Sequence, residues 1–289
     1  MNSEKLIIQR KPKLYNPRLV MGFSGWMDGG DISTGTVKYL IGKFEAEKFG
    51  YIDPEGFYIY NFPGSKEIST LVRPHVRIQN GLIQNYMPPQ NNFYCAEEEN
   101  LILFIGKEPN MAWGQYADCI FNICNIYDVS WIYYVGSVAG LTPHTREPRI
   151  FCSVSNEKLR TPLREHGIRL NNYEGPASIV TYFLLRCAQK NLKMLSLVAE
   201  IPAYVQGYNP RCIETTVRCV AGLLGLHVQL DDIRAAGDEF EKKVTDIAQQ
   251  QEELSETITK LEEAYDEEVF DTEMYDMKKW LENQGIRVD

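Results

Sequence analysis

The residues best placed to do chemistry lie in four segments rich in glycine, proline and polar side chains. His144 stands in GSVAGLTPHTREP (136–148), two residues before Arg146 and next but two to Glu147. Histidine is the ordinary general acid or base near neutral pH, and a neighbouring arginine offers a fork for a carboxylate or phosphate. A Pro-His-Thr sequence also makes a plain rigid loop. GFSGWMDGGD (22–31) presents Asp28 and Asp31 beside Trp26. Those carboxylates could orient a substrate or a partner group, or an aspartate could cap the helix that follows. In NNYEGPASIV (171–180), Pro176 suits the first turn of a helix. Glu174 could pair with Arg146 or His144, or favour the positive end of that helix. AEIPAYVQGYNP (199–210) adds Glu200, Pro202 and Tyr204, an aromatic that could line a pocket or an interface, or simply pack.

None of these segments names a reaction. GFSGWMDGGD ends in no GK[ST] and lacks the GxGxxG spacing, so it is neither a Walker A loop nor a dinucleotide fingerprint. GFSGW lacks the GxSxG elbow, and Ser137 has no histidine and acid partner at local spacing. His75, His166 and His227 share no ligand spacing with cysteines or carboxylates, so no metal is expected. No cofactor is expected either.

The elements that must position these segments alternate. Apolar runs at 18–23, 100–105, 131–135 and 194–200 read as strands, and amphipathic stretches at 32–44, 111–127, 173–189 and 211–225 read as helices. Continuous apolar strands separated by helices predict an α/β fold: three α/β/α layers around a mostly parallel sheet. The segments that follow the four strands, GFSGWMDGGD, GKEPNMAW, GSVAGLTPHTREP and EIPAYVQGYNP, are expected at one rim, where such sheets bind ligands. Between 48 and 87, Pro74 and the Asn80-Gly81 pair predict an edge hairpin.

Charge divides the chain. From residue 231 onward lie 19 of the 39 acidic and 7 of the 30 basic residues, a net −12 against +3 for the remainder. The expected organisation is an α/β core over 1–230 and an acidic helical extension over 231–289. Within the extension Phe240, Val244, Ile247, Gln251, Leu254, Ile258, Leu261 and Tyr265 keep heptad spacing. One helix of roughly 26 residues, about 39 Å long, is implied. It either folds against a shorter helix at 272–283 or pairs with another subunit. A formal charge of −9 without a basic cluster argues against nucleic acid and anionic membranes. Seven cysteines without a CxxC pair, mostly in apolar runs, read as buried free thiols in a reducing compartment. With no apolar leader and no run long enough to cross a bilayer, the expected location is the cytoplasm.

Four segments together resemble the proteasome assembly chaperone 2 family: GWMDGGDISTG (25–35), GSVAGLTPHTREP (136–148), YEGPASIV (173–180) and SLVAEIPAYVQG (196–207). LEEAYDEE (261–268) is similar to the tail of the longer bacterial members. The resemblance implies a phosphorylase/hydrolase-like three-layer core, homo-oligomers with a trimer favoured, and an assembly or scaffolding role toward a protein partner. The alternative is a small-molecule-binding protein or hydrolase/phosphorylase-like enzyme, with Asp28, Asp31, His144, Arg146 and Glu174 around one pocket. A third reading buries Trp26, Met27 and Tyr204 between subunits.

Overall fold

The computed structural model describes residues 4–61, 73–160, 163 and 167–283, with side chains to residue 270 and at 274. His166 lies outside these residues.

Nine strands form one sheet: β1 (Leu6–Ile8), β2 (Arg18–Ser24), β3 (Glu47–Ile52), β6 (Asn92–Ala96), β7 (Leu101–Lys107), β8 (Trp131–Gly140), β9 (Ile150–Val154), β10 (Arg169–Leu170) and β11 (Lys193–Pro202), in the order β1-β3-β6-β7-β2-β8-β11-β9-β10. The four strands expected from their apolar runs are its centre, β7-β2-β8-β11, and all run parallel. They are buried on both faces, which is why they read as unbroken apolar runs. The outer strands were not legible. β3, β6 and β9 pair antiparallel with their inner neighbours, so the complete sheet is mixed.

Helices cover both faces. α2 (Trp113–Ile126) and α3 (Ile179–Lys190) bury Tyr116, Ile120 and Phe183 against one face. α1 (Ile32–Lys43) and α4 (Pro210–Leu224) bury Val37, Leu40, Ile213 and Val217 against the other. α4 begins where Asn209 accepts from the Cys212 amide with Pro210 behind it, and ends at Gly225 in the left-handed region. The three-layer α/β/α expectation therefore holds.

Three local expectations are corrected. The helix expected over 173–189 starts at Ile179, and 171–178 is loop. Gly175-Pro176 keeps the chain extended until the apolar stripe begins. The Asn80-Gly81 hairpin forms from β4 (His75–Gln79) and β5 (Leu82–Met87), with both turn residues at positive φ. It is, however, a separate two-stranded sheet and not an edge of the main one. The heptad stripe does not belong to a single helix. α5 (Asp231–Ala248) stops and α6 (Glu252–Asn283) restarts, so the chain breaks at Gln251, the stripe's one polar member. Ile258 is buried whereas Ile247 is 56% exposed. α6 also runs through 272–283, where a separate helix was expected.

The break lets each half of the extension find the core. α5 lies along α4, close enough that a Cβ on Gly237 would sit 3.2 Å from Arg211 Cα. α6 crosses the strand-end loops. The acidic extension and the slightly basic core meet through ion pairs, among them Lys43 with Asp232 and Arg211 with Glu241.

Candidate functional site

In an open α/β sheet the ligand crevice lies where neighbouring strands send their connections in opposite directions. Here that place is between β2 and β8, and the chain's own backbone fills it. The Ser137 amide donates to the Met27 carbonyl (2.9 Å) and the Ser137 hydroxyl to the Gly29 carbonyl (2.6 Å). Asp28 pairs with Ser137 as an isolated bridge.

Asp28 is turned toward α1. Its Oδ1 accepts from the Thr34 amide (3.0 Å) and its Oδ2 from the Thr34 hydroxyl (2.9 Å), so it holds the helix start. Burial pushes its carboxyl up to about 6, against the lowering effect of the Thr34 hydrogen bonds. Asp31 occupies the N-cap position of α1 at φ 55 with no side-chain capping bond and stands exposed.

His144 is buried beneath α5. The Tyr204 hydroxyl accepts from the His144 amide (2.9 Å) and lies 2.8 Å from Nδ1, leaving its proton for that nitrogen. Nε2 lies 3.0 Å from Thr245 Oγ1, whose own proton goes to the Glu241 carbonyl. The chain of donors assigns a neutral imidazole protonated at Nε2. Burial and the nearby Arg211 lower its pKa, while Glu262 acts in the opposite sense. Two residues on, Arg146 grips Asp266 of α6 through Nε and Nη2, both at 2.8 Å, with Glu262 at 3.6 Å. Thr145 donates to Glu262. The rim loop is thus strapped under the extension.

Glu174 is exposed, and it pairs with neither residue proposed for it: the partners of Arg146 are Asp266 and Glu262, those of His144 Tyr204 and Thr245. The five side chains suggested for one pocket fall in three places. Asp28 and Asp31 serve the start of α1, His144 and Arg146 meet the extension, and Glu174 faces solvent.

Trp26 is 70% exposed and Tyr173 is 65% exposed. With Met27, Val138, Leu184 and Val198 they line an apolar cleft of about 360 Å³ on the sheet face beside α3. Tyr204, in contrast, is committed to His144.

A residue the sequence reading passed over shapes this area. Glu108, in the segment after β7, accepts from the Trp26 amide (3.1 Å) and the Ile179 amide (3.1 Å), tying two rim loops together. Its only signal was its place in GKEPN at a strand end. Thr245, Glu262 and Asp266 gave none, because a helical face hides its tertiary partners. Among the described residues no group of three or more His, Cys, Asp or Glu side chains is arranged to hold a metal ion, and no helix is long and apolar enough to cross a membrane. All seven cysteines are free thiols, six of them buried.

Fold and rim together define a three-layer α/β protein whose C-terminal helices close over the ends of its central parallel strands. The sequence model of the PAC2 family matches residues 22–248, and the chain belongs to that family. A proteasome-assembly chaperone homologue of Mycobacterium tuberculosis is 25% identical, with a TM-score of 0.72 over 83% of this chain and 99% of that one. A PAC2 family protein of Streptomyces avermitilis is 23% identical, with a TM-score of 0.70 over 83% and 99%. An archaeal proteasome activator of Pyrococcus furiosus shares the fold at 16% identity, with a TM-score of 0.63 over 86% and 99%. A search of curated proteins finds no match to the chain.

Proposed function

We propose that this chain is a homo-oligomeric assembly protein of the cytoplasm, acting on protein partners as a proteasome-assembly chaperone does. The observation that carries the reading is the β4–β5 hairpin. Val76 pairs with Tyr86 and Ile78 with Ile83, giving one apolar face, and all four side chains are exposed. Directly opposed residues point to the same side of a ladder. A two-stranded hairpin in water is marginally stable without a further layer. An apolar face of this kind fits a second copy of the chain, with a trimer the favoured state. Family membership supports the assembly role, and the free, buried cysteines support a reducing compartment.

The Trp26–Tyr173 cleft is the surface left for the partner. It carries the exposed aromatics that anchor protein interfaces. Mixing the purified chain with an unassembled proteasome α-type subunit and recording native mass spectra tests the role. A complex lost in Trp26→Asp supports it; no complex at tens of micromolar, or one indifferent to Trp26→Asp, contradicts it.

A further inference from the structure

A second cleft, of about 420 Å³, lies on the other face of the sheet from the Trp26 cleft, between β9, β10, α4 and α6. Arg149, Arg169, Arg218, Thr215, Ile168 and Tyr265 are among its lining residues. Arg149 precedes β9 and Arg169 begins β10 opposite Phe151, and both guanidinium groups reach Glu268. Arg149 is the more firmly held. Its side chain is only 9% exposed, and its guanidinium stacks on the Tyr265 ring at 4.3 Å. Nη1 meets Glu200 at 3.3 Å, while Nε is buried with no hydrogen-bond partner among the described residues.

One carboxylate joins the two arginines. Glu268 of α6 places Oε2 on Arg149 and Oε1 on Arg169, one oxygen to each guanidinium. This is how paired arginines hold a carboxylate or a phosphate. Receptor and occupant differ in burial, however: Glu268 is 49% exposed against 9% for Arg149. Arg149 is packed into the core, Arg169 is partly exposed beside it, and the acid reaches both from an outlying helix.

Charge points the same way. Arg218 is met by Glu147 and Glu214 and Arg149 by Glu200, whereas Glu268 is the carboxylate shared between Arg149 and Arg169. Without it, the Arg149 and Arg169 guanidinium groups lose their shared carboxylate in a partly enclosed space, where the buried charge of Arg149 favours an anion. Glu268 is half-exposed, so returning it to water costs less than exposing the buried Arg149 beneath it.

We propose that this cleft is an oxyanion-binding site that takes the phosphate or carboxylate group of a small ligand, in exchange for Glu268. Binding would then release one of the ties holding α6 to the rim. The proposal does not rest on self-association or on the partner surface.

Titration calorimetry of the full-length chain at low ionic strength, with inorganic phosphate in one arm and succinate in the other, tests it. Removing the internal competitor with Glu268→Gln should tighten binding about tenfold in at least one arm, since apparent affinity scales with the open fraction. The arm that gains more assigns the ligand group. Adding Arg169→Gln should abolish the gain; Arg169 is chosen because Arg149 is packed into the core. Circular dichroism and melting curves check that each variant is folded. A structural strap alone gives equal binding, or none, in wild type and Glu268→Gln, and either result overturns the proposal. So does a gain that survives Arg169→Gln.

Discussion

His144 Nε2 lies 3.0 Å from Thr245 Oγ1, a contact across 101 residues that joins the rim loop to the extension. Protonation at Nδ1 keeps the Nε2 donor of this contact but removes the acceptor that takes the Tyr204 proton, and it puts a charge on a buried ring. The pKa of His144 is lowered from the ordinary 6.5, so in acid the unfolded or open chain takes the proton first. Stability of the strap is therefore present at neutral pH and lost as pH falls below about 6.5. Limited proteolysis at 249–251 should be faster at pH 5.5 than at pH 7.5 in wild type. In His144→Gln, which keeps an acceptor and a donor without the charge, the difference should shrink. An unchanged difference would show that other groups open the strap.

Asp28 responds in the opposite direction. Its folded value of about 6 lies above the ordinary 3.8, so the folded state holds its proton longer. The resulting stability is present below about 4 and lost as pH rises through about 6. Asp28→Asn keeps an oxygen for the Thr34 amide and removes the buried charge. It should raise stability at pH 7 by about 2 kcal/mol, allowing for partial exposure. Urea midpoints at pH 4 and pH 7 measure this, and a variant less stable than wild type at pH 7 contradicts it.

Gly22 tests the packing beneath the site. A Cβ there would overlap the Ser33 carbonyl oxygen, which is backbone and cannot swing away. Ser33 also donates to the Val135 carbonyl (2.5 Å) and accepts from the Phe23 amide (2.9 Å), so α1, β2 and β8 meet at this point. Gly22→Ala should cost about 3 kcal/mol. A thermal melt within a degree or two of wild type would contradict the packing described.

The sequence was most informative where structure is local. The four central strands are buried on both faces and announce themselves as apolar runs, and Asn80-Gly81 announces its turn. The outer strands β1, β3, β6, β9 and β10 were missed because they are short, and all but β6 are only partly buried. Gln251 was visible as an interruption of the heptad stripe, but spacing alone could not show that the chain turns there. The rim residues were found by their place at strand ends. Their partners were not, since Arg146 and Asp266 are 120 positions apart. A residue pattern read along the chain carries no record of which helix lies above a loop.

The central claim is that copies of the chain associate through the hairpin, and sedimentation velocity at tens of micromolar tests it most directly. Wild type should sediment as an oligomer, at about 100 kDa for three copies of 33.2 kDa. Ile78→Lys with Ile83→Lys should sediment as the 33.2 kDa monomer with an unchanged circular dichroism spectrum. A wild-type monomer, or an oligomer untouched by the double substitution, would contradict the account.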